Sequence, residues 1–187
     1  MNSTRRFAAA RAVDVLMILT IVGAAIYISV LQGRIRLLEK QVDAGGEVVA
    51  GMRLLPLEGK SLLGAPIHLE RGESRLVIVS TPRCGGCRTA MPYFQQLVAR
   101  VGTQNVLLLV PLLNGADREE SRQYFASSGF AKVISMTLDP KQLAELRLLA
   151  VPRVLLVDRA GRIVRVWREQ PNTDEIVDTW NHHRRDS

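Results

Sequence analysis

The apolar residues of this chain gather into short dense runs parted by charged and turn-forming stretches. Leu76-Val77-Ile78-Val79 is largely β-branched and stops at Ser80-Thr81-Pro82, which predicts a strand and then a turn. A helix follows from Cys84, interrupted by Pro92 and closing near Gly102. From Asn105 to Leu112 valines and leucines run on without alternation, as in a central parallel strand buried on both faces. Asp117 and Glu120 stand at capping-box spacing at the head of a helix that ends at Gly129. Val133 to Leu138 predicts another strand, and Asp139-Pro140 caps a helix from Lys141 to about Leu149. Between Ala150 and Trp167, two apolar strands joined by Asp158-Arg159-Ala160-Gly161 predict an antiparallel hairpin, the second alternating as an edge strand does. Asn172 and Glu175 cap a last helix through Trp180. Upstream, Leu54 to Leu57 and Pro66 to Leu69 read as paired extended segments around a Glu58-Gly59-Lys60 turn. This order predicts an α/β fold, a mixed β-sheet with helices on both faces.

The first residues follow a different pattern. Met1 to Arg11 carries Arg5, Arg6 and Arg11 and no acid, and Val15 to Leu31 is a run of seventeen residues without a charge. With Ala12 and Val13 it is long enough to cross the hydrocarbon core, so residues 12–31 are expected to form a transmembrane anchor after a cytoplasmic tail, residues 1–11. A cleaved signal peptide is the rival, since Val22-Gly23-Ala24 permits cleavage before Ala25. The apolar run continues well past that point to Leu31, which favours the anchor. Leu31, Ile35, Leu38 and Val42 then recur at helical spacing, so residues 32–50 are expected to be a juxtamembrane helix and linker broken at Gly45-Gly46. Residues 51–187 are left for the folded domain.

Composition changes the picture little. Of 187 residues 47% are hydrophobic, and the mean hydropathy of +0.08 is raised by the N-terminal run. The net charge is +7 and the pI near 10.1, but basic residues are interspersed with acids and not interleaved with aromatics. That is a solvated surface and gives no reason to expect a nucleic-acid partner.

The candidate chemistry lies where the first apolar strand ends. Cys84 and Cys87 are the only cysteines, three apart at the head of a helix. Cys84 would have free backbone N–H groups beside its sulfur and the positive end of the helix dipole, which should lower its pKa below that of a free cysteine. Cys87, one turn on, would face the same way but be more buried. The first thiolate attacks a partner's sulfur and the second resolves the mixed disulfide. Structural zinc needs four ligands, and only His68, His182 and His183 could join the two cysteines. A purely structural disulfide would close too short a loop to constrain the unfolded chain much. A redox pair is most useful where disulfides persist, which places the domain outside the cytoplasm and the tail inside.

Cys84-Gly85-Gly86-Cys87-Arg88 with Met91-Pro92, and Val151-Pro152 leading into Val157-Asp158 and Gly161-Arg162-Ile163, resemble the thioredoxin superfamily. Within it the chain resembles the membrane-anchored extracytoplasmic branch that reduces disulfides for cytochrome c maturation, and it is also similar to the methylamine-utilisation accessory protein. The resemblance covers roughly Gly51 to Trp180 and implies a thioredoxin-like sheet preceded by one transmembrane helix. It implies that Cys84 is the nucleophile, Cys87 the resolving thiol and Pro152 a cis-proline opposite them, with Val151 pairing with an extended substrate segment. Arg83, beside the nucleophile where the family usually has an aromatic, joins Val151 and Pro152 as a candidate substrate contact. Gly85-Gly86 replaces the family's glycine-proline, and Ile78 stands where thioredoxin carries a buried acid. No cofactor is implied beyond the Cys84–Cys87 redox-active disulfide. The implied partners are protein disulfides and a membrane thiol electron carrier, and the implied location is the inner membrane, single-pass, with the C-terminal domain in the periplasm.

Three other functions fit parts of the pattern. A disulfide-forming accessory protein would use the same residues in the opposite direction. Thr81-Pro82-Arg83-Cys84 matches the threonine and cysteine of a peroxiredoxin motif, although Val77 stands where its proline belongs. A copper-binding assembly factor would use the thiolates for Cu(I), but related carriers space their cysteines four apart and add a distal histidine.

Overall fold

A computed structural model of the chain describes residues 27, 47–112, 117–168 and 172–186. The chain divides into two units, Met1–Gly45 and Gly46–Ser187. The expected tail and anchor, and the juxtamembrane helix as far as residue 46, lie outside the described residues apart from residue 27. Among the described residues no helix is long and apolar enough to cross a membrane.

The second unit is built on one seven-stranded sheet in the order β2-β1-β5-β4-β3-β6-β7. The strands are β1 (Leu57–Lys60), β2 (Pro66–Leu69), β3 (Arg75–Val79), β4 (Val106–Pro111), β5 (Ile134–Leu138), β6 (Arg153–Val157) and β7 (Ile163–Arg168). Strands β3, β4 and β5 are parallel, whereas β6 runs antiparallel to β3 and β7 antiparallel to β6. The predicted mixed sheet is therefore present, and its unbroken apolar runs have a direct cause. Leu76 and Ile78 of β3, with Val106, Leu108 and Val110 of β4, enter one core. Val77, Val79, Leu107 and Leu109 enter the other, so each central strand is covered on both faces. The first core is closed by α1 (Gly85–Val101), by Phe125 of α2 (Asp117–Phe125) and by Ile176, Val177 and Trp180 of α4 (Thr173–Asp186). The second is closed by Leu143 of α3 (Pro140–Glu145), Leu148 and the segment carrying Val48, Leu54 and Leu55.

Several boundaries differ from the sequence expectation. The helix from Cys84 is not interrupted at Pro92: α1 continues to Val101, with Cys87, Ala90, Met91, Phe94, Leu97, Val98 and Val101 buried. Pro92 lies on the exposed side, where water can take the carbonyl bond its missing N–H gives up. The opening turn is Ser61 to Ala65, closed by Ser61 N–H to Ala65 O at 2.8 Å, and Glu58-Gly59-Lys60 lies inside β1. Gly59 is there because a Cβ would come within 2.9 Å of the Met136 side chain and 3.2 Å of Thr137 O. Helix α3 stops at Glu145, because Arg147 adopts φ 56° and Leu148 N–H bonds Leu143 O at 2.9 Å. Helix α4 continues past Trp180 to Asp186, so His182 and His183 are helical.

Asp139 caps α3 in a reciprocal pair with Gln142, and Asn172 Oδ1 accepts from Asp174 N–H at 2.9 Å. Glu175 instead binds Arg165 and, at 3.1 Å, Trp167 Nε1. Asp117 is the first residue of α2, and its carboxylate is used elsewhere, as described next.

Candidate active site

Strand β3 delivers the chain to the rim of the sheet, where Ser80 N–H still bonds Leu109 O at 3.1 Å. The turn that follows ends in Cys84, the N-cap of α1, in extended conformation with φ −94° and ψ 122°. Its sulfur takes the role usually played by a Ser or Asp oxygen, accepting the Cys87 N–H at 3.3 Å. A helix N-terminus offers donors that nothing in the helix can use, and here one of them points at the nucleophile's sulfur.

The two cysteines, both free thiols, occupy opposite environments. Cys84 is half-buried, and its Sγ donates to Val151 O at 3.6 Å. Cys87 is wholly buried, and burial pushes its thiol up to about 11. A hydrogen bond from the Cys84 side chain and the charge of Cys84 push the same way, while Thr81 N–H and the Ser80 side chain oppose it.

The Val151–Pro152 peptide is cis. Pro152 is buried and packs over the cysteine turn: a Cβ added to Gly86 would lie 3.5 Å from Pro152 Cδ and 3.8 Å from Cys84 Sγ. Gly85 and Gly86 are exposed, which leaves one side of the Cys84 sulfur open. The structure thus brings Cys84, Cys87, Val151 and Pro152 together.

Arg83 sits at the edge of the same opening with two anionic partners from α2, Asp117 Oδ1 at 2.8 Å from Nη1 and Glu120 Oε2 at 2.9 Å from Nε. These raise the pKa of Arg83, first through the hydrogen bond to Glu120 and then through the charges of Asp117 and Glu120. Arg88 donates from Nη1 to Pro82 O at 2.8 Å and so braces the turn. Ile78, where the resemblance would place an acid, is fully buried in the apolar core.

Sequence reasoning missed Ser80 and Tyr124. Ser80 is fully buried beside Cys87, its only signal being a hydroxyl at the end of an apolar strand. Tyr124 reaches from α2 into the field of both Arg88 and Cys87, and burial raises its phenol pKa. His68 lies on the hairpin between Glu58, at 3.1 Å, and Glu70, at 2.6 Å. Among the described residues no group of three or more His, Cys, Asp or Glu is arranged to hold a metal ion.

No protein-family model and no curated protein matches the chain. Solved structures do. The thioredoxin domain of a thiol-disulfide oxidoreductase from Bacteroides vulgatus superposes with a TM-score of 0.56 at 18% identity, covering 73% of this chain and 98% of that one. A DsbF homologue from Corynebacterium diphtheriae gives 0.59 at 14% identity, covering 74% and 94%. A peroxiredoxin-like protein from Aquifex aeolicus gives 0.57 at 16% identity, covering 73% and 88%. With its mixed sheet and flanking helices, the domain that follows residue 46 has a thioredoxin-like fold.

Proposed function

We propose that the protein exchanges disulfides with protein partners through Cys84 and Cys87, as a reductase working outside the cytoplasm. The observation that carries this reading is the asymmetry of the pair: a reachable sulfur at the α1 cap and a buried sulfur one turn behind it, under the Val151–Pro152 peptide. In the reductive direction the Cys84 thiolate attacks one sulfur of a partner's disulfide, and that bond's electron pair leaves on the other sulfur. Cys87 then loses its proton and attacks Cys84 Sγ, the mixed disulfide breaks, and the partner sulfur that was bonded to Cys84 departs and takes up a proton. The partner gains two electrons and the protein is left as the Cys84–Cys87 disulfide.

Val151 and Pro152 hold the partner strand and aim its sulfur at Cys84 in this reading, with Arg83 at the edge of the contact. The uncharged run from Val15 to Leu31 anchors the protein in the inner membrane with the domain in the periplasm. A membrane thiol carrier returns the electrons, and tethering restricts the partners to those that reach the membrane. Replacement of Cys87 by serine tests the exchange: Cys87→Ser should accumulate partners covalently held on Cys84, and absence of any trapped protein contradicts it. Acid quenching of cells followed by thiol alkylation tests direction. A pair that stays oxidised when electron supply is raised contradicts the reductase and favours a disulfide-forming role.

A further inference from the structure

The buried half of the pair poses a problem that the exchange reaction has to solve. Cys87 must become a thiolate to attack Cys84, yet its sulfur is sealed from water and its burial disfavours the charged form. Ser80 lies on the same side of the turn. Its side chain is 0% exposed, and its hydroxyl, shut away from solvent, makes no hydrogen bond of standard geometry in the reduced protein. A buried hydroxyl left in that state costs stability, so its presence in an otherwise apolar stretch calls for a chemical reason. Leu76 and Ile78 of β3 turn into the core that α1 closes, and Ser80 is the next residue of that alternation, on the same face as the buried first turn of α1; its side chain and the Thr81 N–H both favour the charged form of Cys87.

We propose that Ser80 is a catalytic residue of the resolving step, its hydroxyl donating, alongside Thr81 N–H, to the Cys87 thiolate as it forms. The inference rests on the disulfide-exchange reading. A neutral thiol is a weak acceptor and leaves the donor unsatisfied, while a thiolate satisfies it, so the interaction strengthens only as the reactive form appears. The step balances without a further reagent. Cys87 gives up its proton, its sulfur bonds to Cys84 Sγ, the bond from Cys84 to the partner breaks, and the partner's sulfur leaves with the electron pair and takes up a proton. Ser80 keeps its own proton throughout. The other groups around Cys87 are Cys84 at the helix cap, which raises its pKa, and Tyr124 on α2, with Arg88 of α1 also acting on that phenol. Among the groups that shift Cys87 only Ser80 and Thr81 favour the thiolate.

The test uses reduced full-length protein mixed with one equivalent of dithiobis(nitrobenzoate), a small aromatic disulfide. Attack by Cys84 releases one coloured thiolate, and resolution by Cys87 releases the second, so the two steps are read as two phases. Ser80→Ala should leave the first phase within twofold of the parent. It should slow the second about tenfold, the low end of what a hydrogen bond to a charged group supports, and move that phase's pH midpoint up by about one unit. Its thermal midpoint should be equal to or above that of the parent, since an unsatisfied hydroxyl has been removed. An unchanged second phase, or equal slowing of both, overturns the assignment while leaving disulfide exchange intact. A parent protein that releases one equivalent and never a second overturns the exchange reading and this assignment with it.

Discussion

The cap of α1 and the turn behind it hold the same side chain in opposite surroundings. Cys84 stands half-buried at the rim with one flank open past Gly85 and Gly86, while Cys87 is among the buried residues of α1 with Ala90, Met91 and Phe94. Helix geometry sets the difference: the N-cap lies outside the packed cylinder, and the residue three on points back toward the sheet. A pair built this way divides its labour by position. The outer sulfur can meet a partner, and the inner one meets only the outer sulfur.

Removing either cysteine breaks that division with the largest effect. Cys84→Ser should lower the rate of exchange with any disulfide by more than about a thousandfold, since the remaining thiol cannot reach a partner. Cys87→Ser should keep the first attack near the parent rate and stall at the mixed disulfide, which mass spectrometry reads as a stable adduct.

A second effect follows from burial. In the folded protein the Cys87 thiol is pushed from its ordinary 9.0 up to about 11. Between those values the unfolded chain has released a proton that the folded, reduced chain retains, so stability falls as pH rises. The contribution is fully present below pH 9 and lost on passing through about 11. Denaturant melts of the reduced protein at increasing pH should show this decline, and Cys87→Ala should show a shallower one.

The smallest change sharpens the contrast at its open side. Gly86→Ala adds a methyl at ordinary contact distance from Pro152 and Cys84, and alanine is favoured over glycine in a helix by about 0.5–1 kcal/mol. The variant should be slightly more stable by denaturant titration. It should react normally with a small disulfide and severalfold more slowly with a protein disulfide, whose backbone needs the space.

The sheet was legible because β3, β4 and β6 are buried on both faces, so their sequences carry no polar interruptions to confuse the reading. The cysteine pair and Val151-Pro152 were legible as motifs. Other features depended on what the chain meets far away. Gly59 has the local signature of a turn residue but is set by Met136 lying against it, and Arg147 ends α3 in a conformation more often given to glycine. Pro92 has the local signature of a break, but the buried positions on the other side of α1 outweigh one lost hydrogen bond. The partners of Arg83 come from α2, with Glu120 lying 37 residues on, and no local pattern announces such a pairing. Ser80 is hidden in the same way, as its meaning lies in the thiol whose charged form it favours.

In the folded protein one sulfur is reachable and the other is not. Pulse alkylation of the reduced protein across pH 6 to 9, followed by peptide mapping, measures it directly. Cys84 should be labelled first at every pH, with Cys87 modified only when the fold is opened by denaturant. Labelling of Cys87 ahead of Cys84 in the folded protein would contradict it.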